Sequence, residues 1–278
     1  MPQLFFFPPE KRIHTLNDAT RAQTAKALDG MVHKPSLVDP VLLACTRVLT
    51  FSHGRSLSGA SGFFFEREGR LYLVTSTHVL FDANAGHLPD HVHIELHPDH
   101  RDFTQVVTFS VPLYGDGRQA WRQARDSAGD VDVAVIPLDR RAMPQGCALR
   151  AFTPDNLPTF AVPVPLGSAL IVVGFPLGFH DTVHHLPVAR QAALASSYGM
   201  RFQGQGFFLT DARTHRGSSG APVMLAPAQV VPDMPPAPWR LLGIHSSRMD
   251  MNNRDLAQDE SLGLNCAWYA DILLELTR

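Results

Sequence analysis

From Val41 onward the chain alternates short runs rich in valine, isoleucine, phenylalanine and tyrosine with breaks of glycine, proline and aspartate. The runs are "GFFFE", "LYLVTS", "HVHIEL", "VVTFSV", "VDVAVIPL", "ALIVVGFP", "GFFLTD", "PVML" and "LLGIHSS". β-branched and aromatic side chains suit a pleated, half-buried surface. No long helical crossover separates the runs, so the pattern disfavours a parallel α/β sheet and predicts an all-β barrel or sandwich. Two stretches carry a helical period instead. In "NDATRAQTAKALDGM" Asn17 can cap, Ala22, Ala25 and Leu28 share a side, and Gly30 can stop the helix. In "AWYADILLELTR" Tyr269, Ile272, Leu273 and Leu276 fall at helical intervals, which predicts a short C-terminal helix docked on the β-structure. Between them, Pro227, Pro232, Pro235, Pro236 and Pro238 rule out a regular central strand, and a projecting hairpin-like loop is expected there.

Composition sharpens this picture. With 278 residues, 45% hydrophobic and 18% charged, the chain can bury a core without metals or disulfides. We expect an N-terminal extension over residues 1–38 and one bilobal domain over residues 39–278, with the boundary between lobes near 150–168. A net charge of -2 points away from nucleic acid and from an anionic membrane as partners. No apolar run approaches the roughly 20 residues that span a bilayer. The "LFFF" run from Leu4 is shorter than a secretory apolar region and lacks its basic leader, so a bacterial cytoplasm is the default location, with a mature secreted form as the alternative. Cys45, Cys147 and Cys266 are too scattered for a disulfide framework or a paired metal site and read as small buried hydrophobes. The histidines of "HLPDHVHIELHPDH" resemble metal ligands, but their alternation fits a half-solvated strand better, and no metal or other cofactor is expected.

The chemistry concentrates in "THRGSSGAPV", residues 214–223. Gly217 and Gly220 flank Ser219 and permit a tight turn in which the Gly217 and Ser219 N–H groups face a substrate carbonyl as an oxyanion hole. A serine hydroxyl is a weak nucleophile until a base takes its proton, and the base needs a group to orient it. His78 follows the strand-like run Leu71 to Thr75 and supplies the base. Asp132, at the start of "DVAVIPL", supplies the acid, with Asp130 as its rival. The order His78, Asp132, Ser219 differs from that of subtilisins and α/β-hydrolases, and Ala221 breaks the hydrolase elbow.

With these contexts, "TSTHV" (Ser76 in place of the usual alanine), "DVAV", "GSSGAP" and "VVGFPLG" at 172–178, the chain resembles the trypsin-like serine proteases of chymotrypsin fold. Its motifs are nearest those of bacterial glutamyl endopeptidases and high-temperature-requirement proteases. The resemblance implies two perpendicular six-stranded β-barrels with the site in the crevice between them. It also implies that His78 acts as general base and then acid, that Asp132 holds its tautomer, and that Ser219 forms an acyl-enzyme on a polypeptide substrate. Thr214 and His245 resemble the pocket residues of glutamyl endopeptidases and related viral cysteine proteases, which implies cleavage after Glu and, less favoured, Gln. An activating protein partner or self-association remains open, as do three alternatives: a dormant enzyme, a peptide-binding module, or an esterase.

Overall fold

Phe63, Phe64 and Phe65 are all buried yet belong to two different cores, a consequence of the two-residue period of a strand. The computed structural model describes residues 38–159, 163–225, 239–249 and 262–278. The expected helix over 17–30 and most of the proline-rich loop lie outside the described residues. The strands before residue 139 are β1 (Cys45–Ser52), β2 (Arg55–Arg67), β3 (Arg70–Thr75), β4 (His91–Leu96), β5 (Val107–Pro112), β6 (Tyr114–Gly115), β7 (Arg118–Gln119), β8 (Arg122–Asp126) and β9 (Gly129–Leu138). Those after it are β10 (Ala169–Gly174), β11 (Val188–Leu194), β12 (Phe207–Asp211), β13 (Pro222–Leu225), β14 (Arg240–Arg248) and β15 (Leu264–Tyr269).

Two antiparallel assemblies result. The later strands close a six-stranded barrel in the order β10-β11-β12-β15-β14-β13, sealed where β13 pairs back onto β10 at Val172 and Val223. The earlier strands form a seven-stranded sheet in the order β5-β4-β1-β2-β3-β9-β8. The resemblance implies a closed barrel here too, but among the described residues no pairing joins β5 to β8. Pro112, which has no N–H to donate, ends β5. The chain then runs through the β6–β7 hairpin before β8, whose own ladder slips at a bulge between Gln123 and Arg125.

The cores explain why some runs are continuously apolar. Phe64 packs inside the sheet with Val48, Leu73, Val92, Ile94 and Ile136. Phe63 and Phe65 face the seam, with Val133 and Val135 of β9, Val173 of β10 and Ile244 of β14. A strand covered on both faces loses its polar alternation. The barrel interior is filled separately by Leu170, Val172, Phe208, Val223 and Leu242.

The C-terminal helix is shorter than its sequence pattern predicts. Helix α2 (Ile272–Leu276; α1 is described with the site) starts after Tyr269, which remains in β15 and pairs with Gly243. Leu273 and Leu276 are buried in the seam cluster. Groups of the first sheet satisfy the carbonyls at this end: Arg67 Nη1 donates to Leu274 O (2.6 Å), Arg122 Nη1 to Leu276 O (3.2 Å) and Tyr72 Oη to Thr277 O (3.3 Å). Cys45 and Cys266 are buried free thiols, but Cys147 is only half-buried and donates to Pro144 O (3.0 Å). The histidine-rich segment forms β4, alternately buried, with His91 bonded to Asp90 and stacked on Phe51. No helix among the described residues is long and apolar enough to cross a membrane.

Candidate active site

Pairing of Thr75 with Ala134 sets β3 beside β9 and brings Asp132 alongside the turn that follows β3. That turn is α1 (Thr77–Leu80), and His78 is its second residue. The carboxylate of Asp132 grips this residue twice: the His78 main-chain N–H donates to Oδ1 (2.9 Å), and its ring Nδ1 bonds Oδ2 (2.7 Å). An ionised carboxylate only accepts, so Nδ1 carries the proton and Nε2 keeps its lone pair. Burial lowers the His78 pKa, but the hydrogen bond and charge of Asp132, with the charge of Asp82, outweigh it and raise the value above the ordinary 6.5. Asp130 is turned elsewhere, paired with Arg125 Nε at 2.9 Å, and does not compete for His78. Ser246 Oγ also donates to Asp132 Oδ2. The unusual Ser76 is fully buried, and its hydroxyl is satisfied by the His245 carbonyl at 3.2 Å.

The turn around Ser219 needs its glycines. Gly217 has φ +89 and Gly220 φ +82, a region that side chains strain. A Cβ on Gly220 would lie 2.3 Å from both Ser61 O and Thr75 Oγ1, and one on Gly217 would lie 2.6 Å from Phe175 O. The Arg216 carbonyl accepts from Leu177 N (2.6 Å) and the Ser218 carbonyl from Ala221 N (3.0 Å). In a trans peptide the N–H points opposite to the C=O. The Gly217 and Ser219 N–H groups are therefore turned away from those contacts, and among the described residues neither donates a hydrogen bond. Ser219 is half-buried and its Oγ donates to Ser246 O at 3.1 Å; no hydrogen bond joins it to His78 among the described residues.

Thr214 and His245 are both buried, with Thr214 5% and His245 2% exposed. The Thr214 hydroxyl donates to Asn265 Oδ1, and no hydrogen bond links it to His245. Burial, then the nearby charge of His78, pushes the His245 pKa down to about 4, so its imidazole is neutral at pH 7. Too little water reaches the ring to stabilise a charge on it. Its Nδ1 is buried without a hydrogen-bond partner among the described residues. Asp211, Arg216 and Arg248 are exposed.

Two functional candidates escape the sequence reading. Ser246 follows His245 in "LLGIHSS", and Ser61 sits in "GASGFFF"; each is a serine whose partner lies more than a hundred residues away in the chain. A small polar residue at the end of an apolar run was the sole signal.

The family model described as a trypsin-like peptidase domain matches residues 60–231, well over half of the 278-residue chain. The chain belongs to this family. The matched segment holds His78, Asp132 and Ser219 and stops short of His245 and Ser246. No curated protein matches. Among solved structures, this trypsin-like chain is similar to the serine endoprotease from Yersinia pestis, with 13% identity, a TM-score of 0.50, and coverage of 86% of this chain and 65% of that one. It thus spans under two thirds of that protein, and the likeness concerns the fold. An inactive serine-to-alanine variant of a protein from M. tuberculosis H37Rv also matches, with 15% identity, a TM-score of 0.43, and coverage of 88% and 92%.

Proposed function

We propose that this trypsin-like chain is a serine endopeptidase that cleaves polypeptides through Ser219, His78 and Asp132. The observation that carries this reading is the two-point grip of Asp132 on His78, next to a turn whose Gly217 and Ser219 amides have no acceptor among the described residues. For reaction, the Ser219 hydroxyl leaves Ser246 O by rotating between staggered χ1 wells and gives its proton to His78 Nε2. Oγ bonds to the scissile carbonyl carbon, and the oxyanion is held by the two amides. The C–N bond then breaks as the amine takes the proton from Nε2. Water gives a proton to His78 Nε2 as its oxygen bonds to the ester carbon; the bond from that carbon to Ser219 Oγ then breaks, the acid departs, and His78 returns the proton to Oγ.

For the residue before the cut, the reading is Glu first and Gln second. Thr214 and His245 Nδ1, which has no partner among the described residues, support it: a neutral imidazole donates to either side chain, and a bound carboxylate raises the imidazole's pKa and favours its charged form. If His245→Ala leaves the ratio of kcat/KM among Glu, Gln, Ala and Phe unchanged, this preference is wrong. A second reading, a dormant or peptide-binding protease fold, is favoured by one contact, that of Ser219 Oγ with Ser246 O. Mass-spectrometric profiling of a proteome-derived peptide library separates the two. Cuts made by the protein and absent with Ser219→Ala establish the peptidase, whereas intact peptides in both samples favour dormancy.

A further inference from the structure

Ser61 is fully buried in β2, and every polar group it has is turned toward the machinery of the opposite lobe or toward β3, the strand that precedes His78. Its ladder with β3 has not yet begun, since the first β2–β3 pair is Phe63 with Val74. The side of the strand left vacant by β3 is taken by the nucleophile turn: Ser61 N donates to Ser219 O at 3.0 Å. Its hydroxyl donates to Gly217 O (2.7 Å) and accepts from Phe175 N (2.9 Å). Its carbonyl accepts from Thr75 Oγ1 at 2.8 Å. Gly174, next to Phe175, has no room for a side chain, because an added Cβ would lie 2.4 Å from Ser61 Oγ.

Two contacts hold the peptides flanking Gly217: Ser61 makes one directly and is linked to the other only through Phe175 N. The Arg216–Gly217 peptide is held by Leu177 N on the Arg216 carbonyl. The Gly217–Ser218 peptide is held by the Ser61 hydroxyl on the Gly217 carbonyl. The same hydroxyl secures Phe175 N, at the start of the turn that carries Leu177. A glycine at φ +89 with no side chain to anchor it has a low barrier to peptide rotation, and a rotated peptide would take its N–H out of the cleft.

Resting on the peptidase reading, we infer that Ser61 is the positioning residue of the oxyanion hole: one hydroxyl in the first sheet fixes the direction of the Gly217 amide in the barrel. It never touches substrate. Its loss should weaken transition-state binding while leaving ground-state binding in place.

The test uses Ser61→Ala in the 278-residue chain, with Gly174→Ala as a second variant that displaces the hydroxyl instead of removing it. The expected result is a fall in kcat of about 10- to 100-fold, below the loss for deleting an oxyanion donor outright. KM should stay within about twofold, and affinity for a peptide boronate that mimics the tetrahedral state should fall by the same factor as kcat. A loss shared equally between kcat and KM, or boronate affinity left unchanged, overturns the inference. Glycine-selective 15N labelling reads the Gly217 amide directly and does not require turnover. A Gly217 resonance that moves or broadens in Ser61→Ala while glycines not adjoining residue 61 stay in place is expected, and an unmoved one rejects the role of Ser61 even if the chain proves inactive. Inactivity of the unsubstituted protein would count against the peptidase reading instead.

Discussion

Asp132 accepts three hydrogen bonds, from the His78 main chain, the His78 ring and Ser246 Oγ, and this makes it the residue on which the orientation of the His78 ring depends. Asp132→Asn keeps the shape but offers an N–H to a ring nitrogen that must itself donate, so His78 is driven to the wrong tautomer. We expect kcat to fall about 10⁴-fold with the fold intact, as for other triads. Ser246→Ala removes one of the three bonds and should cost about tenfold, the equivalent of one charge-assisted hydrogen bond at the barrier. A pH profile checks the electrostatics. Because the His78 pKa is raised, the acid limb of kcat/KM should lie above pH 6.5, activity falling as the pH drops through it and the base becomes protonated. The stability linked to the same group has the opposite sense: it is present below the unfolded pKa and is lost as pH rises through the higher folded value. His78, Asp132 and Ser219 could be singled out as candidates in the sequence because each stands in a local context that the proposed chemistry requires, a glycine turn or a strand end. Ser61 and Ser246 could not, since their roles exist only once distant strands are brought together.

β2, β9 and α2 show what ties the two assemblies to each other. β2 and β9 each send alternate side chains into the first sheet and into the seam, and α2 closes the seam from the far end of the chain. Leu273→Ala should lower stability by about 3 kcal/mol, within the range for a buried leucine, seen as a shift of the urea midpoint. An exposed residue of the same helix, Leu274, should tolerate the change with little effect. Apolar periodicity located most of the strands but misplaced the start of α2, because Tyr269, Ile272, Leu273 and Leu276 have a helical spacing even though Tyr269 is held in β15 by its ladder. β1 and β11 have polar residues interleaved among apolar ones, "CTRVLTFS" and "VARQAAL", and no run of the kind that marks the central strands. Closure of the first sheet depends on the register of β8 and on the path after Pro112, neither of which a hydrophobic pattern encodes.

Within the unit from Asp39 to Arg278, the candidate site draws its parts from both assemblies: His78 and Asp132 from the sheet, Ser219, His245 and Ser246 from the barrel. Neither assembly alone contains both Ser219 and His78. Family membership follows from the match over residues 60–231, but the activity follows only if these parts act on one another. The most direct measurement is the rate at which a fluorophosphonate labels the protein, with the adduct mapped by tandem mass spectrometry. The reagent should modify Ser219 alone, at a rate that falls by at least about 10³-fold in His78→Ala and stays near the original in Asp130→Asn. Absence of an adduct on Ser219, or an adduct that forms equally fast without His78, would contradict the proposed catalytic arrangement.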